Sequence, residues 1–204
     1  MAENVETLAT HPEIVKRLQT AFPSYLLGEV ESTVINLPTH RLRPTQHDIG
    51  SIVISGESIH IPSRFYSPEP LAETLAGFSN LNHIILACIY TRHHDGFVRL
   101  KYVEKLFSQD EIWVSPFVLQ LIGEYVIEII EVISQNINRL PIKAYTDFIK
   151  ENPSFAYLLK QRIVSYWDCY YRFEIPHFKD YVGYQVADMF GLWNKNDIRY
   201  LQAR

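Results

Sequence analysis

From Leu71 onward, almost every stretch between punctuating residues carries apolar side chains three and four positions apart. Ile84, Ile85, Cys88 and Ile89 form one such stripe, and Val98, Tyr102, Val103 and Leu106 form the next. Phe117, Leu121 and Ile122 follow Pro116, while Val126, Ile129, Ile130 and Ile133 lie beyond Gly123-Glu124. A period near 3.6 puts these residues on one face of an α-helix, whereas a half-buried strand needs a period of two. The region is therefore expected to be helical, with Val98, Val126, Ile130 and Ile133 in its core. Pro141 or Ile142 begins a further helix through Ile149, and Asn152-Pro153-Ser154 separates it from a long one, Phe155 to Tyr171. In that helix Leu159, Ile163, Tyr166 and Tyr170 share a stripe, with Trp167 and Tyr171 beside it. A last helix starts near Phe178.

The first 70 residues have a different texture. Ile14, Val15, Leu18 and Phe22 are helically spaced and Pro23 stops them. Tyr25 to Leu37 has no clear period and reads as helix or strand. Between Ile49 and Ile61, two runs rich in Ile and Val flank Ser55-Gly56-Glu57-Ser58, the pattern of a β-hairpin. An isolated hairpin is marginal in water, so this one should lie against helices. Pro62, Pro68 and Pro70 then impose an extended arm. The expected whole is a single mainly α domain over residues 1–204. Residues 1–70 supply a helix, a small β-hairpin and the arm; residues 71–204 supply the helical region.

Composition narrows the functional classes. Hydrophobic residues make up 47% of the 204 and charged residues 21%, which is globular rather than disordered. Net charge is −4, and five Lys and Arg against nine Asp and Glu place all of it between Met1 and Asn80. That balance argues against a protein that binds nucleic acid by neutralising phosphates. Cys88 and Cys169 are too few for a disulfide framework or a cysteine zinc site. The most apolar stretch, Trp113 to Ile133, is interrupted by Glu124, Glu128 and Glu131, which makes a membrane span costly. No charged segment followed by an apolar one opens the sequence, so a cytoplasmic protein with reduced cysteines is expected.

Three groups of residues carry candidate chemistry, each with a plainer alternative. Arg92-His93-His94-Asp95-Gly96 offers two imidazoles and a carboxylate to a metal-dependent hydrolase. Alternatively it is a polar turn, with Gly96 on the C-cap side of one helix and Asp95 capping the next. Glu124, Glu128 and Glu131 are spaced to share a helix face and to meet a basic partner, or simply to be solvated. Tyr166, Trp167, Tyr170 and Tyr171, interleaved with Asp168 and Arg172, have the composition of an interface core or of a packed helix. Arg92, Arg99, Lys101 and Lys105 would serve a nucleic-acid-binding reading. Cys169 has no nearby base, and no Gly-x-Gly-x-x-Gly, P-loop, Gly-x-Ser-x-Gly or Cys-x-x-Cys motif occurs. No catalytic residue, metal ligand or cofactor is assigned, and an enzyme is not expected.

Phe97-Val98-Arg99 and Tyr125-Val126-Ile127 occupy corresponding places in two helical pairs 28 residues apart. They belong either to a repeat or to an ordinary bundle of helical hairpins. With the turns Arg92-His93-His94-Asp95-Gly96 and Gly123-Glu124, the region from Leu71 to about Tyr171 resembles HEAT-type helical repeats. The combination with an N-terminal hairpin is also similar to small bacterial helical proteins that act as immunity partners of secreted toxins. The resemblance implies a HEAT-like solenoid and a binding role: occlusion of the active site of a cognate protein toxin. Glu124, Glu128, Glu131, Tyr166, Trp167, Tyr170 and Tyr171 are the expected partner-binding residues.

Overall fold

The computed structural model describes residues 6–39 and 44–193. The protein is mainly helical, with ten α-helices and one two-stranded antiparallel sheet among the described residues. It forms two compact units, Met1–Leu106 and Phe107–Arg204. The helices that follow Leu71 are thus shared between the units, and the Pro-rich arm is not a boundary. The arm is part of the first unit's packing, for the reasons given below.

In the first unit, α1 (Pro12–Gln19) opens on a proline, whose missing N–H costs nothing at that position. Its Ile14, Val15 and Leu18 face inward against α2 (Leu27–Val34), where Val30, Thr33 and Val34 are buried. The segment with no clear period is therefore helical. Strands β1 (Ile52–Ile54) and β2 (Glu57–Ile59) pair with Ile52 opposite Ile59 and Ile54 opposite Glu57. The loop between them is just Ser55-Gly56, with φ of 53° and 83°. Positive φ at both positions matches the right-handed twist of the strands, as in primed hairpin turns.

The hairpin is fastened from both ends. Ser24 donates its backbone N–H and its hydroxyl to the Glu57 carboxylate at 2.8 and 2.9 Å. Arg17 donates to the His60 carbonyl at 2.7 Å and pairs with Asp48, while the His60 backbone N–H reaches the Thr20 carbonyl at 2.8 Å. The other oxygen of Asp48 meets His60 Nδ1 at 3.0 Å.

The arm runs alongside the end of α4 (Asn80–Tyr90) rather than into solvent. Phe65 and His93 form a parallel bridge, with Phe65 N–H to the Arg92 carbonyl at 2.8 Å and His94 N–H to the Phe65 carbonyl at 3.1 Å. The short α3 (Ala72–Ala76) links arm and helix. Ser79 and Asn82 form a reciprocal capping box at the start of α4. Asn82 Nδ2 also donates toward Thr33 Oγ1 at 2.9 Å, tying α4 to α2. Next comes α5 (Gly96–Val103), capped as expected by the Asp95 side chain, which accepts from Phe97 N–H at 2.8 Å. Gly96 begins α5 and does not end α4, whose C-cap is Thr91.

The second unit is organised around α6 (Ser115–Ile122), all eight of whose residues are buried. It touches α7 (Ile127–Gln135), α8 (Ile142–Glu151), α9 (Pro153–Tyr166) and α10 (Val182–Met189). The apolar stretch thus divides between α6 and most of α7, and no helix among the described residues is long and apolar enough to cross a membrane. Gly123 ends α6 where a Cβ would come within 2.7 Å of Leu159 Cδ1 on α9, so the close approach depends on its missing side chain.

Two expected core residues are corrected. Val98 and Val126 are only half-buried, whereas Ile130 and Ile133 are fully enclosed. Val126 precedes the first turn of α7 and so does not lie on its inward stripe; Val98 is in the first turn of α5, where the inward residue is Arg99. Ile130→Ala should cost about 2–5 kcal/mol, and Val98→Ala no more than about 1 kcal/mol, since half its surface change is already in water. Equal shifts in urea midpoint for the two variants would contradict this assignment.

Candidate functional site

The aromatic segment after α9 changes helix type. Trp167–Tyr171 winds as a π-helix, with Arg172 N–H reaching the Trp167 carbonyl at 2.8 Å. A π-turn holds one more residue than an α-turn and rotates the side chains that follow out of their expected stripe. Leu159 and Ile163 are buried, but Tyr166 is half-buried and Tyr170 is 62% exposed. Trp167 takes the inward place instead. Its Nε1–H donates to the Ile175 carbonyl at 2.8 Å, and its ring packs 5.0 Å from Phe178.

The turn between α6 and α7 brings a residue that the stripe analysis did not single out. Tyr125, 48% exposed, has its ring 6.1 Å from Tyr166 and 6.3 Å from Tyr170, and the latter two rings are 6.0 Å apart. Beside this triad, Tyr171 donates its hydroxyl to the Tyr125 carbonyl and stacks at 5.5 Å on the buried Tyr181. The same hydroxyl lies at the N–H of Ile127, the first residue of α7. Burial, with the charges of Glu128, Glu131 and Glu174, raises the pKa of the Tyr171 phenol.

Five of the seven expected binding residues therefore converge: Tyr166, Tyr170 and Tyr171 with the exposed Glu128 and Glu131. Two do not belong to the exposed surface. Glu124 is 2% exposed and lies before α7, so the helical spacing that linked it with Glu128 and Glu131 has no helix under it. Trp167 is a core residue for the reason just given. Asp168 and Arg172 pair at 2.7 Å, and the guanidinium covers the Trp167 ring at 5.5 Å.

The histidine turn has a structural occupation. His93 is buried, with Nε2 3.0 Å from the Ser67 carbonyl and Nδ1 3.1 Å from Asp95 N–H. A carbonyl requires Nε2 to donate and an amide requires Nδ1 to accept, so the ring is a neutral tautomer with both nitrogens engaged. His94 lies against it, the two rings 4.3 Å apart and tilted by 46°, and also stacks on Tyr66 at 5.0 Å. Among the described residues no group of three or more His, Cys, Asp or Glu side chains could hold a metal ion.

The basic residues considered for nucleic acid are dispersed in the same way. Arg99 is 0% exposed and donates to the carbonyls of His93 and His94 at 2.8 and 2.9 Å; Arg92, also buried, donates to that of Ser63 at 2.9 Å. Lys101 pairs with Glu69 at 2.7 Å, and Lys105 sits 4.5 Å over the Tyr102 ring. Two of the four thus lie inside the fold, and the others already have partners.

No protein-family model matches this chain, and neither a curated protein nor a solved structure matches it. Function must be argued from geometry, and the exposed tyrosine surface of the second unit is the arrangement with most to offer a partner.

Burial, and next the neighbouring His94, lower the pKa of His93. A depressed folded-state pKa means that the unfolded chain binds the proton first, so this stabilisation holds above about pH 6.5 and fades as pH falls below it. The stability difference between wild type and His93→Gln should shrink between about pH 7.5 and pH 5. A difference independent of pH would contradict the neutral, doubly bonded ring.

Proposed function

We propose that this chain is a binding protein that engages a partner protein through the surface of Tyr125, Tyr166, Tyr170, Glu128 and Glu131. In this reading the partner is a bacterial toxin, the site covered is the toxin's active site, and the setting is the cytoplasm. One observation carries the proposal: three tyrosines in mutual ring contact stand at the surface beside two exposed carboxylates. Tyrosine is favoured at interfaces because it presents a large amphipathic area with few rotatable bonds. Ring clusters of this kind are normally packed inward, and an exposed one marks a contact site. A HEAT-like stacking of the helical pairs belongs to the same reading, as the scaffold that holds the surface.

The test is co-expression with the secreted toxin whose gene neighbours that of this chain, using variants checked for folding. Wild type should protect the cell. Tyr125→Ser combined with Tyr170→Ser should abolish protection, and Glu128→Lys combined with Glu131→Lys should slow association and weaken it. Retained protection in both double variants would overturn the assignment of this surface, and absence of protection by wild type would overturn the immunity role.

A further inference from the structure

Resting on the partner-binding reading, we infer that the tyrosine triad is a receptor for a cationic side chain, the arginine or lysine of a basic segment in the partner. The centroids of Tyr125, Tyr166 and Tyr170 form a nearly equilateral triangle with sides of 6.0 to 6.3 Å, and the rings are tilted by 32° to 53° rather than stacked flat. A guanidinium or ammonium resting on such a cluster lies within about 6 Å of more than one ring centroid, where the ring quadrupole attracts it.

The surrounding charge has the matching sign. Tyr171 is tied to the triad through the Tyr125 carbonyl, and the charge of Glu128, three residues after Tyr125 in the first turn of α7, acts on the Tyr171 phenol. Glu131 follows one helical turn later, and Glu174 lies just beyond the π-helical segment. The guanidinium of Arg172 is held by Asp168 over the Trp167 ring. An incoming cation thus meets aromatic rings and negative charge on one surface, of which a neutral apolar side chain would use only the rings. Tyr181, buried beneath Tyr171 in a near-parallel stack, makes the floor rigid and lowers the ordering cost of binding. A toxin that holds phosphates carries such cations in its active site, which joins this inference to the occlusion of that site.

The test uses the full chain with labelled tyrosine rings, followed by NMR in low-salt buffer, and three probes of graded character: guanidinium chloride below denaturing concentration, tetramethylammonium chloride and tert-butanol. Saturable shifts confined to the Tyr125, Tyr166 and Tyr170 rings are expected with the two cations. The neutral alcohol, similar in size to tetramethylammonium, should produce none at the same concentration. Glu128→Gln combined with Glu131→Gln should weaken cation binding about three- to tenfold, and Tyr170→Leu should remove it while leaving the fold intact. An equal response to tert-butanol, or cation binding indifferent to Tyr170→Leu, would overturn the inference. These readouts require no toxin. Failure here with toxin protection intact would reject the cation receptor alone, and loss of protection with cation binding intact would reject the immunity reading alone.

Discussion

Carbonyl oxygens of the irregular segments that end and join helices are the constraint around which both units are built. A buried carbonyl without a donor costs as much as a lost hydrogen bond, and short helices joined by irregular segments create many of them. Here the donors come from large side chains. In the first unit Arg92 serves Ser63, Arg99 serves His93 and His94, and Tyr90 serves Pro68 at 2.6 Å. In the second, Trp167 serves Ile175 and Tyr171 serves Tyr125. The abundance of aromatic residues thus has two uses, since the same rings that fill the cores also close the ends of helices.

The candidate surface follows from that arrangement. Gly123 lets the end of α6 approach α9, which sets the Tyr125 backbone within reach of Tyr171. Trp167, four residues after Ile163, continues the inward stripe of α9, and the π-turn that follows supplies the other half by leaving Tyr170 outside. With the Tyr171 hydroxyl spent on a carbonyl and its ring stacked on Tyr181, the exposed triad rests on a base that is itself internally bonded. Rigid aromatic groups of this kind lose little entropy when a partner covers them.

What the sequence made legible was local, and what it hid was long-range. The inward stripe of α7 could be read because Ile129, Ile130 and Ile133 lie wholly within one helix. Asp95 as a cap and the hairpin with its isoleucine face were readable for the same reason, and the structure bears both out. Glu124 was misplaced because helical spacing was counted across a break, where it has no meaning. Val126 failed by the same step. Arg92 and His93 looked like solvated or reactive groups because nothing nearby in sequence reveals the carbonyls they serve, 29 and 26 residues away. The π-turn left no mark at all: Tyr170, three residues after the buried Trp167, would share its face in an α-helix and falls outside where the turn holds one more residue.

The join between the π-helical segment and the start of α7 is the most direct point of attack on this account. Tyr171→Phe deletes one hydroxyl and leaves the Tyr181 stack in place, so amide hydrogen exchange reports on that hydroxyl's contacts with the Tyr125 carbonyl and the Ile127 N–H. Loss of about 1 kcal/mol should speed exchange about fivefold at the turn before α7 and in its first turn, with α8 unaffected. Unchanged exchange around Tyr125 and Ile127 would mean that the tyrosine surface is not held together in the way described.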